Sequence, residues 1–214
     1  GPREAPAAVR EAAVEKGTPR HRGLRARARH LRAQERLSEA ARDIHAALDL
    51  EADDADSLLE AVDIAMAQAT ELERVGQAAE GQKLLDEAAA HIERGLTREP
   101  PDLRFYLARS RMAIREGDGQ AAAEALRDGL AVVKQIRESD PRSLSRELQI
   151  QEHNLKFTLA DVLVTRAADS SPQDAKSDLL AAEEVLQQLR QYEVLDALSD
   201  FLEGRLLTAR QDWY

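Results

Sequence analysis

Glu35, Gly76 and Gly117 are spaced 41 positions apart, and the residues around them keep step. Ala28, Ala69 and Ser110 place a small side chain upstream of each, and Ala40, Gly81 and Ala122 place another just downstream. Ile44, Leu85 and Leu126 come next, then Ala47, Ala88 and Gly129, while Pro100 and Pro141, and Leu103 and Leu144 beyond them, hold the same interval. A period of this length means similar supersecondary units, each burying its apolar face on the next. Each unit reads helix, short turn, helix, with small residues where two backbones must approach and aliphatics between. The register is not unique: Gly76-Gln77-Ala78-Ala79 and Gly119-Gln120-Ala121-Ala122 match best at 43.

Composition agrees with stacked helices. Hydrophobic residues make up 43% of the 214 but aromatics only 3%, so the core must be built from small and aliphatic side chains at close spacing. The pattern predicts a first helix over residues 5–16, stopped by Gly17 and Pro19, and then helix pairs at 22–35 with 38–50, 56–74 with 78–97, 102–116 with 120–138, and 144–168 with 173–190. A last helix is expected at 194–211, and Ser38, Asp56 and Ser143 are the expected N-caps. Gly1 and Pro2 look like the scar of a cleaved tag, so residues 1–19 are read as that scar plus a short helix, and residues 20–214 as the repeat domain.

Several stretches carry a family resemblance. They are SRMAIREGDGQAA at 110–122, ARHLRAQERLSEA at 28–40, AARDIHAALDLEADD at 40–54 and GRLLTARQDW at 204–213. In the fourth unit Leu159, Ala160 and Leu163 precede Ala175, Leu179 and Ala182, with a longer turn expected at Ser170 to Gln173. Together these resemble the tetratricopeptide repeat (TPR) family over roughly residues 20–214. The resemblance implies an all-α fold: a TPR-like α-solenoid of stacked antiparallel helix hairpins in a right-handed superhelix. Two departures stand out. Units near 41 residues exceed the usual ~34, and the bulky position before the first small residue holds Arg27, Gln68, Arg109 or Glu203. The alternative is a helical bundle with coincidental spacing. About four helix pairs are expected plus the first helix of a fifth, whose stripe of Leu195, Leu198, Leu202 and Leu206 would lack its cover; the chain would then continue beyond Tyr214 or self-associate there.

Charge narrows the function classes. The net charge of -10 argues against general nucleic-acid affinity. It is unevenly spread, with +6 over residues 1–36 and -16 over the rest. The basic run Arg20, Arg22, Arg25, Arg27, Arg29, Arg32 and Arg36 could touch RNA or anionic lipid. It has no aromatic residue for base stacking, so solvation or pairing with the acidic units downstream is the preferred reading, and neither nucleic acid nor membrane is an expected partner. No apolar run reaches the ~18 residues of a spanning helix. The chain has no cysteine, so thiolate chemistry and thiolate metal sites are excluded while the compartment stays open, the cytoplasm being the mild expectation.

Signals for catalysis are weak. His21, His30, His45, His91 and His153 lie in different units without a partner at helical spacing. Gly117-Asp118-Gly119 lacks the strand and lysine of a phosphate cradle. The acids Glu51, Asp53, Asp54 and Asp56 lack the glycine and distant glutamate of a calcium loop. No enzyme activity, cofactor or small-molecule substrate is therefore expected.

Five arginines are the candidate partner-binding residues. Arg104, Arg111 and Arg115, spaced seven and four, share one face of a helix, and Arg29, Arg111 and Arg205 each follow the small residue of their unit. In the family that the sequence resembles, first helices line the concave groove, which implies an adaptor gripping a protein or peptide, acidic ones included, through arginine forks. The competing reading is that these arginines neutralise acids on adjacent helices. A second function class is a self-assembly module acting through the open C-terminal helix.

Overall fold

The computed structural model describes residues 19–139, 145–190 and 196–211. Helix accounts for 87% of these and strand for none, so the all-helical reading holds. The expected helix at 5–16 lies outside the described residues, as do Pro141, Ser143, Leu144 and Leu195. The described helices are α1 (Arg20–Ala33), α2 (Leu37–Leu50), α3 (Ala55–Arg74), α4 (Ala78–Leu96), α5 (Arg104–Arg115), α6 (Gly119–Ser139), α7 (Arg146–Asp169), α8 (Pro172–Arg190) and α9 (Asp196–Gln211). The chain divides into two compact units, residues 1–100 and 101–214.

In the first unit α1 pairs with α2 and α3 with α4; α3 also meets both α2 and α1. In the second unit α5 pairs with α6 and α7 with α8; α7 also meets α6 and α5, and α9 lies on α8 and α7. In both units, then, the first helix of a hairpin touches the first helix of the next.

The turns explain the 41-residue spacing. Glu35, Gly76 and Gly117 adopt φ of 60°, 81° and 77°, the left-handed region in which a helix ends with its carbonyls satisfied. In all three the next residue's N–H reaches back to the same helical position: Arg36 to the Leu31 carbonyl at 3.0 Å, Gln77 to Leu72 at 2.8 Å, Asp118 to Ala113 at 2.9 Å. Bonds spanning three residues, from the N–H groups of Glu35, Gly76 and Gly117 to the carbonyls of Arg32, Glu73 and Ile114, complete three Schellman ends of the same pattern. The chain turns back at once, so the second helices start at Leu37, Ala78 and Gly119, again 41 apart.

Two expectations about turns need correction. Ser38 and Asp56 are not N-caps: Ser38 lies inside α2, which starts after Arg36 without a side-chain cap, and α3 is capped by Asp54, whose carboxylate accepts from the Ser57 N–H at 3.0 Å. The cap position of α2 falls on Arg36, whose side chain cannot accept, whereas the equivalent Asp118 in the third turn accepts from the Ala121 N–H at 2.8 Å; Asp56 falls in the first turn of α3, where the dipole still favours it. The fourth connection is not longer but shorter, only Ser170 and Ser171, because Pro172 serves as the first residue of α8 and forces the serine before it out of helical geometry. The Ser171 hydroxyl accepts from the Asp174 N–H at 3.3 Å and donates to its carboxylate at 2.6 Å.

Packing follows the small residues. Ala28, Ala69, Ser110, Ala40 and Ala122 are fully buried, with Ile44, Leu85 and Leu126 between the helices. A Cβ on Gly81 would stand 3.2 Å from the Ala69 carbonyl oxygen, and one on Gly129 would stand 3.0 Å from both Leu155 Cδ1 and Tyr106 Cβ. At these glycines the neighbouring helices leave little room for a side chain. In α8, Ala175, Leu179 and Ala182 repeat the positions of Ala122, Leu126 and Gly129, but 53 residues later, since α7 is twice as long as α5.

The expected open stripe on the last helix is overturned where it can be seen. Leu202 and Leu206 are buried in the core of the second unit against α7 and α8. The exposed face of α9 carries instead Phe201 and Leu207, 58% and 51% exposed, around Gly204.

Candidate functional site

The arginines are where the charge of this chain is organised. The sequence of α1 places six arginines and no acid on fourteen residues. Its N-cap Pro19 supplies no side-chain bond and its first turn has no acid. Arginines three or four apart repel on a helix surface, and cations at the N-terminus oppose the dipole. What compensates lies on the neighbouring helices. Arg25 reaches Asp54 at 2.5 Å and Asp56 at 3.1 Å, and Arg27 forms a two-bond fork with Asp43 of α2. Arg29 and Arg32 converge on Glu60 of α3 at 3.1 and 2.7 Å, with Asp63 3.5 Å from Arg32. The Glu60 side chain is only 2% exposed, so a carboxylate has been buried at the α1–α3 contact under two guanidiniums. Beneath this ionic seam lies a small apolar cluster of Ala28, Leu31, Ile44, Ala47, Ala61 and Ile64.

The candidate residues divide accordingly. Arg29 holds Glu60 while remaining 63% exposed; Arg104 turns back on Asp102 at 2.6 Å; Arg205 pairs with Asp161 of α7 and donates to the Thr165 hydroxyl at 3.0 Å. Arg111 is exposed and Arg115 half-buried, and both have interactions within the chain. Arg104, Arg111 and Arg115 share α5 and Arg205 lies on α9 of the same unit, whereas Arg29 belongs to the first unit. The basic run of residues 20–36 is thus drawn largely into pairs with acids downstream in sequence.

Similar pairs join the second unit. Arg166 of α7 forks onto Asp178 of α8 and also reaches Gln120 at the start of α6. Arg137 of α6 and Lys156 of α7 hold the buried Glu152 at 2.7 and 2.9 Å. Burial pushes the Glu152 carboxyl upward, but the hydrogen bonds from Lys156 and Arg137 outweigh it and hold it below the ordinary 4.5. At Asp54 burial is likewise outweighed, here by Ser57 and Arg25.

The sequence missed one more cluster. His45 of α2 and His91 of α4 both approach the Glu87 carboxylate, at 3.1 and 3.6 Å. Their separation of 46 positions hid the pair from any search at helical spacing. Burial lowers the His91 imidazole below its ordinary 6.5, Glu87 partly restoring it while His45 and Arg94 add to the fall. No group of three or more His, Cys, Asp or Glu among the described residues could hold a metal ion. Three of the acids at 51–56 serve as arginine partners: Asp54 and Asp56 hold Arg25, and Asp53 meets Arg94 at 2.7 Å and accepts from Arg98 through its carbonyl. An open polar depression is lined by Gln120, Arg166, Ser170, Asp174, Ser177 and Asp178, with the Arg166–Asp178 fork in its wall.

No protein-family model matches the sequence, and no curated protein matches it. The likeness to tetratricopeptide repeats therefore rests on the residues quoted above and on the consecutive pairing of helices.

Proposed function

We propose that this chain is a non-catalytic helical-repeat adaptor, a TPR-like solenoid with a right-handed twist that holds a partner protein along its first helices. The observation that carries this reading is the contact of first helix with first helix in both units, α1 on α3, α5 on α7 and α7 on α9. A row of first helices builds an extended surface rather than an enclosed cavity, and such surfaces suit extended or helical peptides. An acidic partner at Arg29, Arg104 or Arg205 would have to displace Glu60, Asp102 or Asp161, exchanging one charge pair for another. Arg111 and Arg115 also have interactions within the chain, so binding at any of the five exchanges one contact for another and would fall steeply with salt. Titrating matched acidic and basic peptides against the wild type and Arg111→Glu tests this. Loss of acidic-peptide binding in the variant is expected; equal binding by both proteins removes the arginine face from the mechanism.

A second reading, self-assembly, is favoured by the face of α9. Gly204 has nothing within 4 Å of where a Cβ would stand, and Phe201 and Leu207 beside it are more than half exposed. In hairpins one to three the corresponding small residues, Ala28, Ala69 and Ser110, are fully buried. Light scattering across a concentration series decides: growth in mass that is abolished by Phe201→Ser/Leu207→Ser supports assembly, and a strict monomer rules it out.

A further inference from the structure

Helix α1 is the element whose existence depends most on charges elsewhere in the chain. It combines a like-charge arginine ladder, an uncapped start and Gly23 in its interior, three features that each disfavour helix in isolation. Its apolar anchor is small, Leu24, Ala28 and Leu31 against α2 and α3. What holds it is the row Asp54, Asp56, Glu60 and Asp63 along one side of α3, together with Asp43 of α2. Four guanidiniums are thereby aimed at oxyanions, Arg27 as a two-bond fork and Arg25 and Arg32 each spanning two acids, and phosphate offers guanidinium a bidentate partner with more charge per group. Arg20 and Arg22 at the start of the helix are exposed or nearly so and have no acid in their own turn, so they give a multivalent anion a first contact.

We propose that α1 is an electrostatic strap: docked on the acidic edge of α3 it completes the first unit, and a ligand carrying several phosphate groups displaces it by taking its arginines. The α1–α3 contact also serves the adaptor reading, but the test below reads α1 alone and uses no peptide partner, so the two can fail separately. It assigns the basic run a conditional role, hidden when the strap is closed and available to a soluble polyphosphate when it opens.

The test is hydrogen exchange on the whole chain, with inorganic tripolyphosphate as the probe and sodium chloride at matched ionic strength as the control, at about 0.1 M, where screening alone is moderate. Tripolyphosphate should raise exchange over residues 20–33 at least about tenfold more than chloride does, while α3 and α4 keep their protection. The triple variant Asp54→Asn/Asp56→Asn/Glu60→Gln should open at lower tripolyphosphate, and Asn keeps the cap of α3. A variant with the same change in charge at the exposed acids Asp49, Glu71 and Glu80 should behave as wild type. Equal effects of the two salts on the wild type would overturn the proposal, and so would equal responses of the two variants; the wild-type arm stands even where the triple variant fails to fold. Release by vesicles containing phosphatidic acid but not by tripolyphosphate would also overturn it, in favour of a lipid surface.

Discussion

Glu35 occupies the left-handed position that glycine fills in the next two hairpins, at φ 60° against 81° and 77°. A side chain with a Cβ costs about 1 kcal/mol there, and glycine costs somewhat less through its freer unfolded chain. Glu35→Gly is therefore expected to stabilise the chain by roughly 0.5 kcal/mol, read by urea denaturation, and Gly76→Ala to destabilise it by about 1 kcal/mol. Ser110 departs from its repeat in the opposite sense. Its hydroxyl is fully buried with no hydrogen-bond partner among the described residues, at the position where the earlier units have Ala28 and Ala69. Ser110→Ala removes a desolvated polar atom and should raise stability by about 1 kcal/mol in the same assay. An unchanged or lowered value would mean that the hydroxyl is satisfied in solution.

Among the elements, the hairpins were legible and the seams between them were not. The 41-residue rhythm placed three turns because each needs a left-handed residue at one fixed point and a small residue on either side, and those demands leave marks on the sequence. The fourth hairpin leaves the 41-residue phase because α7 is longer, yet the helices expected at 144–168 and 173–190 are found at Arg146–Asp169 and Pro172–Arg190. Glu60 and Glu152 were unrecognised as buried charges because Arg29, Arg32 and Arg137 lie on other helices, up to 31 positions away, and only Lys156 stands one turn from its acid. Arg29, Arg104 and Arg205 pair with Glu60, Asp102 and Asp161, the competing reading that spacing alone left open. The histidines set a pH dependence at this scale. His91 and His153 are both lowered chiefly by burial, so the unfolded chain takes up their protons first. The stability they contribute is full above 6.5 and is lost as the pH falls towards their folded values. The thermal midpoint should decline between about pH 7 and about pH 5, and His91→Gln/His153→Gln should flatten that decline. Glu152, held below 4.5, adds a separate loss only in stronger acid. An equal slope in wild type and double variant would contradict this assignment.

For the whole molecule, the account rests on helix pairs nesting where side chains are smallest. Helix propensity alone makes alanine better than glycine by up to about 1 kcal/mol inside a helix. Gly204, in open space, should follow that rule, so Gly204→Ala should be neutral or stabilising. Gly81 and Gly129 should break it, because a methyl group there meets the Ala69 carbonyl in one case and Leu155 with Tyr106 in the other. The decisive measurement is the denaturation free energy of these three single variants side by side. Losses of roughly 1–3 kcal/mol for Gly81→Ala and Gly129→Ala, with none for Gly204→Ala, are the result that nested hairpins require. Stabilisation at all three positions would mean that the helices do not approach there, and the nesting would be wrong.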